Sequence, residues 1–211
     1  MRTWTMMLAL ASGCDRVQQE VQQRIGGQPS DDGAAEDAAP RPRSATEEIF
    51  ASFRGESLDR ACDDDALSEV PVSANCVSGT LSCGGSVEGH LKGGENHWDD
   101  DFYRGKYCTP LPQKYDGPER VYRFDVPAEH LVQVELISPC EDLDLFAMVW
   151  SDTSRCPREE HLVSECEADV TSGGGKVTIY TDRNPKTYLV GVDGKHGATG
   201  PFKLVARCKG K

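Results

Sequence analysis

The sequence predicts an all-β fold, an antiparallel β-sandwich or jelly roll of about eight strands that disulfides staple together. From residue 76 onward, apolar side chains recur with a period of two, and clusters of Gly, Pro, Asn and Asp separate the runs. No long segment with a helical period of 3.6 interrupts them. The 211-residue chain also holds nine cysteines, and no two are three positions apart, so the usual spacing of zinc ligands is missing.

Six runs show the alternation clearly enough to predict individual strands. In one of them, Tyr122, Phe124 and Val126 share one face, and the residues between them share the other. Another run is apolar almost throughout, which favours a central strand. A domain of roughly 130 residues buries about two thirds of its extended surface, so residues 76–211 are expected to fold alone. The six predicted strands are residues 120–126, 131–138, 143–150, 176–181, 188–193 and 202–208.

The N-terminus has the features of an export signal. One positive charge at Arg2 precedes a short apolar run, and small residues then lead to Cys14. This arrangement predicts a signal peptide over residues 1–13. It also resembles a bacterial lipobox, in which the cysteine is lipidated and becomes the new N-terminus, although Ala11 stands where leucine is commoner. An ordinary secretory signal and a start codon placed too late are the alternatives.

The number of cysteines agrees with lipidation of Cys14. Nine is odd, and a secreted protein rarely leaves one thiol unpaired. Without Cys14, eight cysteines remain, which can form four disulfides. Disulfides persist in proteins outside the cytoplasm. We therefore expect a protein of the bacterial cell envelope, lipid-anchored at a periplasmic or outer surface, or otherwise secreted. The eight are Cys62, Cys76, Cys83, Cys108, Cys140, Cys156, Cys166 and Cys208.

A tether and a short extension are predicted between the lipid and the domain. Residues 14–43 are the predicted tether: residues 16–24 could form a polar helix with almost no apolar face, and residues 26–43 are rich in Gly, Pro, Ala, Asp and Ser, which is typical of a disordered linker. Residues 44–75 begin with the capping-box spacing of Ser44 and Glu47, followed by a small apolar stripe that ends at Phe53. We expect a short helix there, whose stripe docks on the domain or on a partner.

The charge balance argues against nucleic acid as a partner. The chain carries 23 basic against 35 acidic residues, for a net charge of −12. A polyanion would need a lysine and arginine footprint instead.

Acidic runs offer oxygen ligands for calcium, and Asp99, Asp100 and Asp101 are the candidates. These runs lack the glycine and the terminal glutamate of an EF-hand loop. Simple solvation of an acidic loop is the alternative. Asp144 has a separate interpretation: if Leu143 and Leu145 face the core, Asp144 lies on the other face of the sheet and caps backbone amides of the adjoining turn.

Aromatic residues are concentrated between predicted strands, in one long segment that contains Trp98, Tyr103 and Tyr107. In a sandwich, such a loop can present a platform for a sugar or a peptide, since aromatic faces offer area at low entropic cost. The alternative is that these side chains pack beneath their own loop.

The sequence offers little support for catalysis. It contains no Gly-x-Ser-x-Gly elbow, no His-Glu-x-x-His zinc motif and no phosphate-binding loop. The five histidines fall in loop-like or strand-edge contexts. A catalytic triad depends on geometry and not on chain order, so a hydrolase with a site built from loops stays an alternative.

Four motifs occur in an order that resembles a known family. The series is similar to the bacterial pre-peptidase C-terminal domain, a β-sandwich module, and it extends over residues 76–208. Gly191 departs from the usual apolar residue at its position. The resemblance implies a non-catalytic appendage, often attached to secreted proteases. The four motifs are residues 117–124, Asp142-Leu143-Asp144-Leu145-Phe146, residues 188–194 and residues 200–204.

The cysteines resemble the cysteine-bearing version of this domain, with Cys62, Cys76 and Cys140 as additions. The resemblance favours a bridge across a short loop, and the neighbouring terminal strands of a sandwich favour a bridge between the start of the first strand and the end of the last. That second bridge would contribute roughly 4–5 kcal/mol in the chain-entropy description. The expected pairs are Cys156 with Cys166, Cys83 with Cys208, Cys108 with Cys140, and Cys62 with Cys76.

The sequence thus predicts an envelope-anchored, non-enzymatic binding or accessory module. Its expected partners are a membrane, through the lipid, and a protein, peptide or glycan ligand, with calcium as the one candidate cofactor. A secreted hydrolase and a purely structural surface protein are the alternatives. A pocket with a histidine within hydrogen-bond reach of Ser and Asp would favour the hydrolase, whereas a flat aromatic patch would favour binding.

Overall fold

The computed structural model describes residues 56–106, 108, 112–171 and 173–210. Within these ranges the chain forms nine strands, one α-helix and one 3-10 turn, Ala66–Glu69. The helix is α1 (Asp100–Gly105). The strands are β1 (Val77–Leu81), β2 (Ser86–His90), β3 (Arg120–Val126), β4 (His130–Ile137), β5 (Leu143–Val149), β6 (Cys166–Asp169), β7 (Gly174–Tyr180), β8 (Lys186–Gly194) and β9 (Pro201–Gly210).

The strands form the two sheets of a β-sandwich, which confirms the predicted fold class. The five-stranded sheet has the order β1-β3-β8-β5-β6, and the four-stranded sheet has the order β2-β9-β4-β7. Neighbouring strands are antiparallel, except that β1 pairs with β3 in parallel. Each of the six predicted runs is a strand, with ends displaced by two residues at most.

The core between the sheets explains the period of two. Phe124 of β3 and Leu145 of β5 face inward from one sheet, and Val134 of β4 and Phe202 of β9 face inward from the other. All four side chains are fully buried. Burial of this apolar face is the main stabilising contribution to the sandwich.

The outer face of the five-stranded sheet is also covered. Residues 91–118, here called the cap, and residues 150–165, here called the crossing loop, contribute side chains to a second apolar cluster on that face. Phe146 and Met148 of β5 belong to this cluster, whereas Leu145 belongs to the core between the sheets. A strand that is buried on both faces needs a nearly unbroken apolar sequence, and β5 has one.

Arg120 joins three segments at one end of the inner core. Its side chain is 1 % exposed, and its guanidinium donates to four backbone carbonyls. The acceptors are Ser68 and Val70 in the extension before β1, and His90 and Lys92 at the end of β2. Among the described residues no carboxylate forms an ion pair with Arg120. The buried positive charge of Arg120 is therefore stabilised by the dipoles of backbone carbonyls. Its side chain connects the extension, the end of β2 and β3.

The eight described cysteines form four disulfides, and one predicted pair is confirmed. Cys83 is bonded to Cys208, across a sequence separation of 125 residues. Cys83 was expected to open the first strand, but it lies in the turn between β1 and β2. The pair forms nonetheless, because β2 is the neighbour of β9.

The other three predicted pairs are wrong. Cys156 and Cys166 do not close a local loop, because the crossing loop extends from β5 towards β1, at the opposite edge of the sheet. Cys156 therefore meets the residue before β1, and Cys166 at the start of β6 meets the cap. Cys62, in the extension before β1, is bonded to Cys140, in the connection between β4 and β5. The pairs observed in place of the predicted ones are Cys62–Cys140, Cys76–Cys156 and Cys108–Cys166.

Several N-terminal predictions lie outside the described residues: the signal peptide 1–13, the lipidated Cys14, the tether 14–43 and the helix that ends near Phe53. The described part of the extension, residues 56–75, is bound to the sandwich. Glu56 forms ion pairs with Lys203 and Arg207 of β9. No described helix is long and apolar enough to cross a membrane.

Replacing Arg120 is expected to destabilise the domain strongly. Arg120→Met removes the donors to four carbonyls, and we expect a loss of about 3–5 kcal/mol in the free energy of unfolding. Arg123→Met is the matched control on the same strand, since its ion pair with Asp125 is exposed and contributes about 1 kcal/mol or less. Urea denaturation of both variants measures the difference, and equal losses would contradict this role of Arg120.

Candidate functional site

The outer face of the five-stranded sheet carries the residues from which a site can be built. Strand register places Val121, Gly191 and Phe146 side by side on β3, β8 and β5. The cap lies over this row. In the next row, Arg123 of β3 lies between Thr80 of β1 and Leu189 of β8.

The cap is seated on the sheet through Trp98 and Gly191. The indole of Trp98 is fully buried and stacks on Phe102 of α1, with ring centroids 4.9 Å apart. A Cβ atom at position 191 would lie 2.8 Å from Cζ3 of Trp98. The family resemblance leads one to expect an apolar side chain at this position, and the structure shows why glycine replaces it: the indole occupies the space of that side chain.

The aromatic platform predicted from the sequence is not present on the described surface. Trp98 and Tyr103 are 0 % exposed and pack beneath the cap, so their assignment as binding residues is wrong. Tyr103 stacks on Phe146 at 4.0 Å between centroids and therefore belongs to the second cluster. Tyr107 lies outside the described residues.

Two buried carboxylates attach the cap to the sheet. Asp144 of β5 and Asp193 of β8 are cross-strand neighbours, and both are 0 % exposed. Tyr115 Oη donates to Asp144 Oδ2 at 2.5 Å, and Tyr103 Oη donates to Asp193 Oδ2 at 2.7 Å. Lys195 Nζ forms an ion pair with Asp144 Oδ1 at 3.2 Å. The role predicted for Asp144, capping the amides of a turn, is wrong because the cap supplies a phenol donor instead.

Burial shifts the ionisation of this pair. It raises the pKa of Asp193 well above its ordinary value, with the Tyr103 hydrogen bond opposing and the charges of Glu119 and Asp144 adding to the shift. It also raises the pKa of Asp144, against the effects of Tyr115 and Lys195. Burial likewise raises the pKa of Tyr103. Because solvent does not reach either carboxylate, their arrangement serves attachment of the cap and gives no access to a substrate.

The three aspartates predicted to bind calcium have other partners. Asp99 caps α1 by accepting from Phe102 N at 2.9 Å, and Asp101 forms an ion pair with Arg104. Asp100 accepts from the backbone N–H groups of residues 113 and 114 at 2.8 and 3.0 Å. Among the described residues, no group of three or more His, Cys, Asp or Glu side chains converges as metal ligands.

All five histidines are described; the polar ring contacts of four of them are to residues within three positions in the sequence, and the ring of His161 also lies 5.4 Å from that of Trp150. His90 Nδ1 accepts from Lys92 N, His161 Nδ1 accepts from Arg158 N, and His130 Nδ1 lies 2.7 Å from the carbonyl oxygen of Ala128. His97 forms an ion pair with Glu95, at 3.2 Å. In the described part of the chain, no histidine ring contacts a serine hydroxyl.

A pocket remains where the outer face is not covered, beside β1 and β3. It has a volume of about 290 Å³ and is here called the open pocket. Thr80, Arg123 and Leu189 contribute from the sheet, and Trp150 and Arg155 contribute from the crossing loop. Trp150 is held by a hydrogen bond from its Nε1 to the carbonyl oxygen of Arg155 at 3.0 Å. The open pocket is the candidate binding site of the described chain.

No protein-family model matches the chain, and no curated protein matches its sequence. Among solved structures, the chain is similar to the pre-peptidase C-terminal domain of a collagenase from Bacillus anthracis. The two are 11% identical, the match covers 61% of this chain and 94% of that domain, and the TM-score is 0.37.

Sequence reasoning missed Arg123, Trp150 and Arg155 as site residues. They are far apart in the sequence, and their proximity depends on the path of the crossing loop. Gly191 interrupts an apolar strand, and a glycine inside a strand often marks the close approach of another group, but here that group is Trp98 of the cap and not a residue of the open pocket.

Filling the space at position 191 is expected to displace the cap. Gly191→Ala would force its Cβ against Trp98 and should lower the free energy of unfolding by about 1–3 kcal/mol. Gly105→Ala at the end of α1 is the control, since an added Cβ there meets nothing within 4 Å, and we expect a change within about 1 kcal/mol. Urea denaturation with near-UV circular dichroism measures both, and equal stability of the two variants would contradict the seating of Trp98.

The buried carboxylate pair predicts a pH dependence of stability. The folded-state pKa of Asp193 is raised, so its contribution is complete below the ordinary pKa and is lost as the pH rises through the folded-state value. The stability of the wild type relative to Asp193→Asn should therefore be greatest below about pH 4, the ordinary pKa of an aspartate, and should fall as the pH rises above it.

Asp125→Asn is the control for this prediction. Although partial burial opposes it, hydrogen bonds from Thr187 and Arg123 hold the pKa of Asp125 below its ordinary value. Its contribution is therefore lost only at lower pH, as the pH falls through the folded-state pKa. Denaturation curves at several pH values give both differences, and a flat curve for Asp193→Asn would contradict the shift.

Proposed function

We propose that this chain is a lipid-anchored, non-enzymatic binding or accessory module displayed outside the cytoplasm of a bacterium, on a β-sandwich of the pre-peptidase C-terminal kind. The lipid holds it to a membrane of the cell envelope, and its ligand is a protein, a peptide or a glycan.

The pairing of the cysteines is the observation that carries this proposal. Four disulfides consume all eight cysteines of the described domain. Cys14, the ninth, is therefore not required for any of them. Disulfides persist outside the cytoplasm, and a cysteine preceded by small residues after an apolar run is where bacterial lipidation takes place. The same pairing thus supports both the compartment and the anchor.

The motif positions support the family assignment. Residues 117–124 lead into β3, the Asp142-to-Phe146 run opens β5, residues 188–194 form most of β8, and residues 200–204 open β9. Three of these strands are neighbours in the five-stranded sheet. Three of the four motifs therefore lie side by side in one sheet, and the fourth lies in the other sheet.

The burial of the carboxylates and the lining of the open pocket support binding over catalysis. The two carboxylates with raised pKa values, Asp144 and Asp193, are closed off from solvent by the cap. The open pocket instead presents guanidinium and hydroxyl groups around an apolar floor. Groups of this kind orient a ligand, and the described lining includes no histidine or carboxylate that could act as a general base on the hydroxyls.

Lipidation is tested by replacing Cys14. The mature wild type should partition into detergent, and its N-terminal peptide should carry acyl mass, whereas Cys14→Ser should stay in the aqueous phase. Asp15→Asn leaves the thiol in place and should partition like the wild type. A wild-type protein that is fully aqueous, with an unmodified Cys14 thiol, would contradict the proposal.

A further inference from the structure

We propose that the open pocket binds one acidic sugar residue, a carboxylate carried on a small hydroxylated ring. This inference rests on the proposed binding function and names the class of ligand that the same pocket takes.

Charge singles out this pocket on the described surface. The chain has a net charge of −12, yet the open pocket is lined by Arg123 and Arg155 and by no carboxylate. Three other surface pockets of the described residues are each lined by two or more carboxylates. Of these four pockets the open pocket is thus the one without a carboxylate in its lining, although Arg155 also lines one of the others, beside Arg158, Glu159 and Glu160.

Both arginines keep donors for a ligand. Arg123 uses Nε and Nη2 on Asp125, and Arg155 uses Nε on Asp152 at 2.6 Å. The described residues supply no partner for Nη1 of Arg123 or for either Nη of Arg155. Because Asp125 and Asp152 hold the guanidiniums by one edge, the remaining N–H groups are oriented before the ligand arrives.

The same two aspartates set the charge of the ligand. Each arginine already faces one carboxylate, so little positive charge remains uncompensated at the pocket. A carboxylate carries a single negative charge and suits this balance, whereas a phosphate monoester carries close to two charges at neutral pH. The geometry therefore favours a carboxylate over a phosphate.

The remaining lining fits a hydroxylated ring. The hydroxyls of Thr80 and Thr153 line the pocket and have no hydrogen-bond partner among the described residues. Val77, Leu189 and Trp150 are the apolar part of the lining; Leu189 and Trp150 are only 2 % and 6 % exposed, so the half-buried Val77 is the side chain that meets the C–H face of a sugar. The volume of about 290 Å³ lies at the lower end of small-molecule sites, so it takes one ring and not an extended chain.

Calorimetric titration of the full mature chain tests the inference. The probes are glucuronate, glucose as the neutral match, inorganic phosphate, and acetyl-alanine as a free peptide carboxylate. Glucuronate should bind, and the other three should bind at least about tenfold more weakly: glucose lacks the charged acceptor, and phosphate and acetyl-alanine lack the hydroxylated ring that reaches Thr80 and Thr153. Added salt should weaken glucuronate binding, because the pocket is open to solvent.

Two variants locate the binding. Arg123→Gln should weaken glucuronate binding about tenfold with little change in the melting temperature, and it locates the binding because Arg123 lines the open pocket and none of the other three pockets. Arg183→Gln makes the same charge change in the exposed turn between β7 and β8 and should leave binding as it is.

Each of the other outcomes overturns the inference. Phosphate or acetyl-alanine binding as tightly as glucuronate would show that the pocket does not select an acidic sugar. An equal loss in Arg183→Gln would show a general effect of charge. If glucuronate does not bind at millimolar concentration, the ligand class is wrong, while detergent partitioning of the wild type and its loss in Cys14→Ser still decide the proposed anchoring separately.

Discussion

The indole of Trp98 lies against the bare backbone of Gly191, and the arrangement of the outer layer depends on this contact. An added Cβ would approach the ring to 2.8 Å, so a side chain at position 191 and a buried Trp98 exclude each other. With the indole in place, Phe102 stacks on it, and Tyr103 and Tyr115 of the same cap pack around Phe146. The cap closes the sheet over β8 and β5, and the open pocket lies beyond it, beside β1 and β3.

Buried polar groups fix how the layers are joined. Arg120 donates to carbonyls of two segments that are far apart in the sequence, and the pair of Asp144 and Asp193 accepts phenol hydrogen bonds from the cap. A buried polar group that loses its partner costs more than the hydrogen bond itself contributes. If the cap or the extension lay elsewhere on the sandwich, these buried groups would lose their partners at a cost in free energy. The hydrogen bonds therefore fix where the cap and the extension lie, and apolar burial supplies the stability of the sandwich.

The inner half of this fold could be predicted from the sequence, because the two faces of β3, β4 and β9 differ in polarity. The pairing of Cys83 with Cys208 could be predicted as well, although the strand beside β9 is β2, which follows Cys83, and not the first strand β1. The outer layer could not be predicted. The sequences of the cap and of the crossing loop show no periodic pattern of apolar residues. The aromatic content of a loop is also the same whether its aromatic side chains are exposed or buried. Only Gly191 indicated a close approach, and it did not show that Trp98 makes it.

The absence of a local sequence pattern also explains why the open pocket could not be predicted. Thr80, Arg123 and Arg155 come together because β1 pairs with β3 in parallel and the crossing loop returns over that edge. Neither feature has a local signature. Predictions that used local sequence alone, such as the bridge between Cys156 and Cys166, therefore treated a long crossing as a short turn.

Peptide mapping of the unreduced protein tests the covered outer face most directly. If the cap and the crossing loop lie over the sheet as described, digestion must yield one peptide pair linked through Cys76 and Cys156 and another linked through Cys108 and Cys166. The first bridge joins the crossing loop to the residue before β1, at one edge of the sheet. The second joins the cap to β6, at the opposite edge. A peptide linked through Cys156 and Cys166 would mean that the crossing loop closes on itself, and it would contradict both the outer layer and the open pocket built on it.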